Sequence, residues 1–237
     1  LLISDWYIDQ MREQKNESAA LPITMQRKDY IGEKGLVIQG VQAKNISLPV
    51  HKEKLLAKGI INQEEASWIT GDRVVWEFKP RGSSRNPYIL RKDSVMMNLV
   101  RNIALNEWER PVYFANTMQS SSFIRLQDYF RMEGLAYRVV PIKKSENTPR
   151  DLFHGWIGQD YMKKNLMEKF LYTQLDDPGV NFDEHIRNVI VGNYRNAFYR
   201  LSNSYSEEIT KWQQQIANNA QLMNTEGANV DSLRAVS

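Results

Sequence analysis

The sequence predicts an α/β fold: a layered domain with a mostly parallel or mixed sheet, followed by a C-terminal helical appendage. Three observations carry this reading. Residues 88–142 spell strand, helix, strand, Ser-rich turn, helix and strand with short connections, and such alternation is most simply met by helices layered on a sheet. The polar segment KKSENTPR at 143–150 then marks a composition shift, beyond which the strand signal fades. Past it, apolar residues recur at helical spacing. The chain therefore divides into an α/β domain over 1–145 and a helical appendage over 146–237.

Taken in order, Asp5 is placed to cap a helix that begins near Trp6 and packs on one face through Trp6, Ile8 and Met11. Loop-like text follows Asn16, and residues 36–41 alternate weakly as a strand. Residues 51–68 read as short helical pieces broken near Gly59, and 74–78 as a strand that stops at Pro80. The turn RGSSRNP at 81–87 suggests that VVWEF and PYIL are neighbouring strands. Val95, Met96, Leu99, Val100 and Ile103 form one apolar stripe, with Asp93 in the position of an N-cap. Arg110 precedes Pro111 and so leaves the helical region, which starts the next strand. Phe123, Leu126, Tyr129 and Phe130 suggest a second helix, ended by Gly134, a residue able to take positive φ. In the appendage, helices are expected over 161–175, 183–205 and 209–223, the first stopped by Asp176-Asp177-Pro178-Gly179, with fraying from Asn224. They resemble a degenerate tetratricopeptide-type hairpin, although one pair does not make an array.

Composition limits the function. At 237 residues the chain suits one large domain or two small ones. No apolar run approaches the ~18–20 residues that a membrane span needs. Net charge is +3 with basic residues scattered among acidic ones, so neither a basic stripe nor a nucleic-acid-binding motif is present, and no nucleic-acid partner is expected. The absence of cysteine rules out disulfides, thiolate catalysis and Cys-ligated zinc, and suits an exported bacterial protein. The chain opens Leu1-Leu2-Ile3 without an initiator Met or a signal peptide, which reads as a piece of a longer polypeptide.

No catalytic signature is found. His51, His154 and His185 are isolated and lack zincin-like spacing, so no metal site is expected. There is no nucleophile elbow, no Walker A loop and no dinucleotide fingerprint, so no cofactor is expected. Asp5 and Asp9 lie four apart on one helix face, where capping and the helix dipole account for both. Ser120-Ser121-Ser122 reads either as a capping turn or as an anion site. In open α/β sheets ligands gather outside the carboxyl ends of strands. By that rule Asp5, Trp6, Arg91, Asp93, Asn116 and Thr117 form the candidate ligand-binding rim, offering acid, base, amide and an aromatic face.

Three strings add a resemblance: SDWYIDQM at 4–11, ALNEWERPVYFA at 104–115 and EGLAYRVVPI at 133–142. Together they resemble the C-terminal extramembrane region of a family of bacterial polytopic membrane proteins of unknown function. That family is related to the transmembrane O-mannosyltransferases and is similar to the GT-C class of glycosyltransferases. The word Asn-x-Trp-x-Arg-Pro-x-Tyr-Phe at 106–114 is the most specific part, and NYRNAFYRLSNSY at 193–205 matches more loosely. The resemblance implies a non-catalytic, extracytoplasmic (periplasmic) domain of a membrane-bound sugar transferase, with the chemistry in a membrane-embedded N-terminal portion. Its expected partners are that portion and an acceptor protein or glycan. The alternative is a protein–protein interaction module that uses the C-terminal helices.

Overall fold

A computed structural model describes residues 4–13, 19–31, 37–143 and 154–234, with side chains to 222. Two compact units emerge, Leu1–Met132 with Ala136–Glu146, and Glu133–Leu135 with Asn147–Ser237.

The first unit opens with α1 (Asp5–Arg12), α2 (Arg27–Tyr30), β1 (Val37–Gln39) and β2 (Lys44–Pro49). Next come α3 (Lys52–Ala57), α4 (Gln63–Ser67), β3 (Arg73–Phe78), β4 (Arg81–Ser83), β5 (Asn86–Leu90) and α5 (Arg91–Leu105). It closes with β6 (Tyr113–Ala115), 3₁₀ turns at Ser120–Ser122 and Gln127–Tyr129, β7 (Phe130–Met132) and β8 (Ala136–Val139). β5 pairs antiparallel with β1 on one side and β4 on the other, with Ile38 opposite Ile89 and Gly82 opposite Pro87. β2 and β3 form a separate antiparallel ladder from Lys44–Phe78 to Pro49–Arg73. β8 lies between β6 and β7, again antiparallel, with Tyr137 opposite both Phe114 and Met132.

The α/β class is as the sequence predicts, and α5 buries Val95, Leu99, Val100 and Ile103 of the apolar stripe, while Met96 is half-buried and Met97 is buried instead. Residues 88–142 do not form one layer, because β5 belongs to one sheet while β6, β8 and β7 belong to another. Nor do β3 and β5 pair: β3 takes β2 as its neighbour, and the RGSSRNP turn joins β4 to β5. The expected helix over 123–134 is instead a left-handed turn at Ile124 and Arg125, the 3₁₀ turn at Gln127–Tyr129 and β7. Phe123, Leu126 and Tyr129 lie three apart, a spacing that 3₁₀ geometry satisfies as well as an α-helix does. Ile124 and Arg125, at φ 45° and 66°, break any right-handed helix there. Gly134 takes φ 114°, where an added Cβ would lie 2.9 Å from the Phe170 ring, so the positive φ was read correctly but serves the β7–β8 connection.

Two capping assignments change as well. Ser4, not Asp5, stands before α1, and α5 begins at Arg91 after Leu90, which puts Asp93 inside the first turn. Both carboxylates still face the positive end of a helix dipole. The core of this unit is a ring cluster: Phe130 stacks on Tyr137 at 5.2 Å, and Phe123 meets Phe130 edge-on at 5.1 Å and Phe114 at 5.8 Å. Beside it lies an ion pair that the sequence did not reveal. Arg131, fully buried, reaches Glu65 at 2.6 Å, and the same carboxylate oxygen accepts the Asn62 N–H at 3.0 Å to complete a capping box on α4. Arg131 lies opposite Arg138 in the β7–β8 ladder, so Glu65 also offsets a like-charge pair.

The second unit contains β9 (Trp156–Ile157), α6 (Gln159–Lys164) running into a π turn at Asn165–Lys169, another π turn at Ile186–Val191, and α7 (Gly192–Arg234). The helices expected over 183–205 and 209–223 are continuous. No Gly or Pro interrupts SYSEEI at 204–209, and the helical backbone continues past Asn224 to Arg234. Gln159 donates to Ser204 Oγ at 3.4 Å, and Phe170 and Tyr172 meet Tyr194 edge-on. The polar segment at 144–150 and residues Leu1, Leu2, Ile3 and Leu36 lie outside the described residues.

Candidate functional site

The six predicted rim residues fall into three groups. Asp5 and Arg91 form one ion pair at 2.6 Å, with Arg27 on the second Asp5 oxygen at 2.9 Å. Arg91 is buried and also lies over the Tyr30 ring at 5.8 Å, so the pair ties α1 to α5 across 86 residues of sequence. Trp6 is exposed and touches Tyr7 edge-on. Asp93 is buried and is held by Arg81, from Nε at 3.0 Å and from the terminal nitrogen at 2.9 Å. Asn116 and Thr117 lie in the turn after β6, half-buried and exposed, and make no hydrogen bond to the other four among the described residues.

One concave feature of this unit lies on the Asp93 side. A cleft of about 180 Å³ opens between the β3–β4 connection, the start of α5 and the 120–127 turn. Lys79, Arg81 and Arg125 bring positive charge to it, Asp93 one carboxylate, and Ser120, Ser121, Tyr88 and Gln127 polar groups. Arg81 spans the cleft floor, holding Asp93 and donating to the Ser121 carbonyl. Lys92 donates to Ser122 Oγ at 3.0 Å, and Lys79 pairs with Glu77 at 3.0 Å. Arg125 is exposed and has no hydrogen bond or ion pair among the described residues.

The backbone that presents Arg125 is strained. Ile124 and Arg125 are consecutive left-handed residues closed by Leu126 N–H to Phe123 O at 2.9 Å, the φ signature of a turn that normally takes Asn-Gly. Two features hold it there. Phe123 and Leu126 are buried on either side, and the buried Trp76 indole N–H donates to Ile124 O at 2.9 Å. The sequence points to Asp93 and to Ser120-Ser121 but hides the cations, because Arg125 falls inside an expected helix, Arg81 in an expected plain turn and Lys79 between a strand end and Pro80. The local excess of Lys and Arg over 79–92 was the available signal.

The most specific string has a different fate. Asn106, Glu107 and Trp108 end α5: Glu107 N–H meets Ala104 O at 3.1 Å and Trp108 N–H meets Ile103 O at 2.9 Å. That is the Schellman pattern, with Glu107 at φ 56° where Gly is usual. Its carboxylate is bonded by Lys54 and faces Lys58 and His51 at 3.7 and 3.8 Å. The Lys54 hydrogen bond, more than the surrounding positive charge, holds its pKa below the ordinary 4.5. Trp108 is buried and donates to Pro49 O at 3.4 Å, while Arg110 bonds the Ala19 and Ala20 carbonyls at 3.2 and 2.5 Å. A second cleft of about 230 Å³ lies near Tyr129, whose hydroxyl donates to Val75 O at 2.5 Å and whose pKa burial pushes up to about 12.

Among the described residues no group of three or more His, Asp or Glu side chains is placed to hold a metal ion, and no helix is long and apolar enough to cross a membrane. No curated protein and no solved structure matches the chain. A family model for TMEM260-associated domain 2 matches residues 1–42 and 37–160, which takes in both clefts, the Schellman turn and all six rim residues. The chain belongs to the TMEM260-associated domain 2 family.

Proposed function

We propose that this chain is a non-catalytic domain of a TMEM260-related membrane protein, a GT-C-like glycosyltransferase of the protein O-mannosyltransferase type. It serves to position an acceptor protein or glycan for a membrane-embedded portion of the same polypeptide. The family match over residues 1–160 carries this reading. The side chains support it, because Asp5, Glu65, Asp93 and Glu107 all hold ion pairs that knit the unit together. A catalytic acid or base needs a proton-transfer path to substrate, and carboxylates fixed in this way serve structure first. We place the domain on the extracytoplasmic, periplasmic face of a bacterial inner membrane. Acceptor contact is proposed at the Asn116 and Thr117 side of the rim rather than at Asp5, Arg91 and Asp93, whose charges already have counter-ions.

Two measurements test the reading. The upstream reading frame is expected to encode about ten apolar spans of membrane-crossing length. The isolated chain is expected to transfer no sugar from a lipid-linked donor. Turnover by the chain alone, lost on substituting one of its own carboxylates, would contradict the proposal.

A second reading is favoured by one feature of α7. Tyr205, Ile209, Trp212 and Ile216 are exposed at spacings of four, three and four, an apolar stripe along one helix face. That stripe suits a protein–protein interaction module built on the C-terminal helices. Replacing Trp212 and Ile216 with Gln is expected to abolish partner binding under this reading, and to leave acceptor binding unchanged under the first.

A further inference from the structure

We propose that the cleft lined by Lys79, Arg81 and Arg125 is an oxyanion-binding site for a phosphate-bearing group, with Arg125 as its principal ligand. Three observations point the same way. The lining carries three cations against one carboxylate, and that carboxylate, Asp93, is already neutralised by two bonds from Arg81. An anion entering the cleft therefore meets a positive field. Ser120 and Gln127 stand in the same wall as neutral donors that can complete the coordination of a tetrahedral oxyanion.

The second observation is the unengaged guanidinium. Lys79 is shared with Glu77 and Arg81 with Asp93 and Ser121, whereas Arg125 has no partner among the described residues. A planar fork with free donors beside other cations is suited to bidentate phosphate recognition. The third is the backbone. Holding Ile124 and Arg125 left-handed is unfavourable for both side chains, and persists only where surrounding contacts over-determine it. Trp76 and the buried Phe123 and Leu126 supply those contacts, and the outward consequence of the turn is the placement of Arg125 at the cleft. The volume, about 180 Å³, admits a phosphate with part of its substituent.

The test is a titration of the full chain followed by NMR of backbone amides and arginine side chains. The probes are inorganic phosphate, glucose 6-phosphate, neutral glucose, and vesicles of phosphatidylcholine with or without phosphatidylglycerol. Saturable shifts over Ser120, Ser121, Arg125 and Gln127 are expected with the phosphates and not with glucose. Arg125→Ala is expected to weaken binding by roughly tenfold or more, the loss of one charge-assisted interaction. Arg125→Lys should retain part of it. Vesicle binding that needs phosphatidylglycerol and Arg125 would identify a lipid headgroup as the source, whereas response to the soluble phosphates alone would identify a free phosphate ester. Arg125→Ala is expected to leave the spectrum of the ring cluster unchanged, and Lys79→Gln, outside the strained turn, gives a second variant that should weaken the same binding. Absence of saturable shifts at the cleft, or phosphate binding unaltered by both variants, would overturn the proposal.

Discussion

Two short turns in this domain adopt the same costly backbone for different reasons. Glu107 and Trp108 are consecutive left-handed residues, and so are Ile124 and Arg125. In the first pair every group is used within the fold: the amides close the Schellman pattern, the carboxylate meets Lys54, and the indole bonds Pro49 O. In the second, Ile124 is buried and its carbonyl takes the Trp76 indole, but the arginine side chain has no partner among the described residues. Left-handed strain that yields internal bonds is accounted for by folding. Strain that delivers an unengaged cation to a basic cleft is better accounted for by a ligand.

Breaking the seat of the second turn is expected to have the largest effect. Phe123 is buried among Phe114, Phe130 and Tyr137, so Phe123→Ala should destabilise the chain by about 3–5 kcal/mol, measured by denaturant unfolding. Arg131→Ala serves as a reference outside both turns. It removes the counter-charge that Arg131 gives the buried Glu65 carboxylate and is expected to cost about 3–5 kcal/mol as well. Trp76→Phe is narrower, keeping an aromatic side chain while removing the indole donor and part of the buried ring system. It should cost about 1–3 kcal/mol through the unsatisfied Ile124 carbonyl, and it should weaken phosphate binding by loosening Arg125.

The first turn is probed by acid. The Glu107 pKa in the folded chain lies below its ordinary 4.5, so the unfolded chain takes up the proton first as pH falls. The stability contributed by Glu107 is complete above that ordinary value and is lost as pH drops through the folded one. Melting temperatures of the wild-type chain and Glu107→Gln should therefore differ at neutral pH and converge in acid. A constant difference across the range would mean that the carboxylate charge is not what holds the first turn.

The same contrast explains what the sequence could reveal. α5 was legible because Val95, Leu99, Val100 and Ile103 keep one period over the whole element. β8 and β6 were legible from apolar text bounded by Gly134 and by Arg110-Pro111. The 123–132 stretch was not, because its aromatic spacing fits a helix and neither Ile124 nor Arg125 signals positive φ. Strand partners were also hidden: β3 pairs with β2 rather than with the nearer β5, and in that ladder Trp76 and Phe78 are buried. Part of the site is legible in the sequence: Asp93, at the start of α5, and Ser120-Ser121, readable as an anion site, both line the cleft. Arg91 lies outside it, and Arg91 and Asp93 each already have a counter-ion, Asp5 for one and Arg81 for the other. The arginine left over was the one that the sequence concealed.

The central claim, that the Ile124–Arg125 turn is strained for the sake of a ligand, is tested most directly by Arg125→Gly. Glycine occupies φ 66° without steric penalty and removes the guanidinium. Unfolding and phosphate titration of the same sample should show stability raised by about 1 kcal/mol and the cleft shifts abolished. A chain that is no more stable and binds phosphate as before would contradict it.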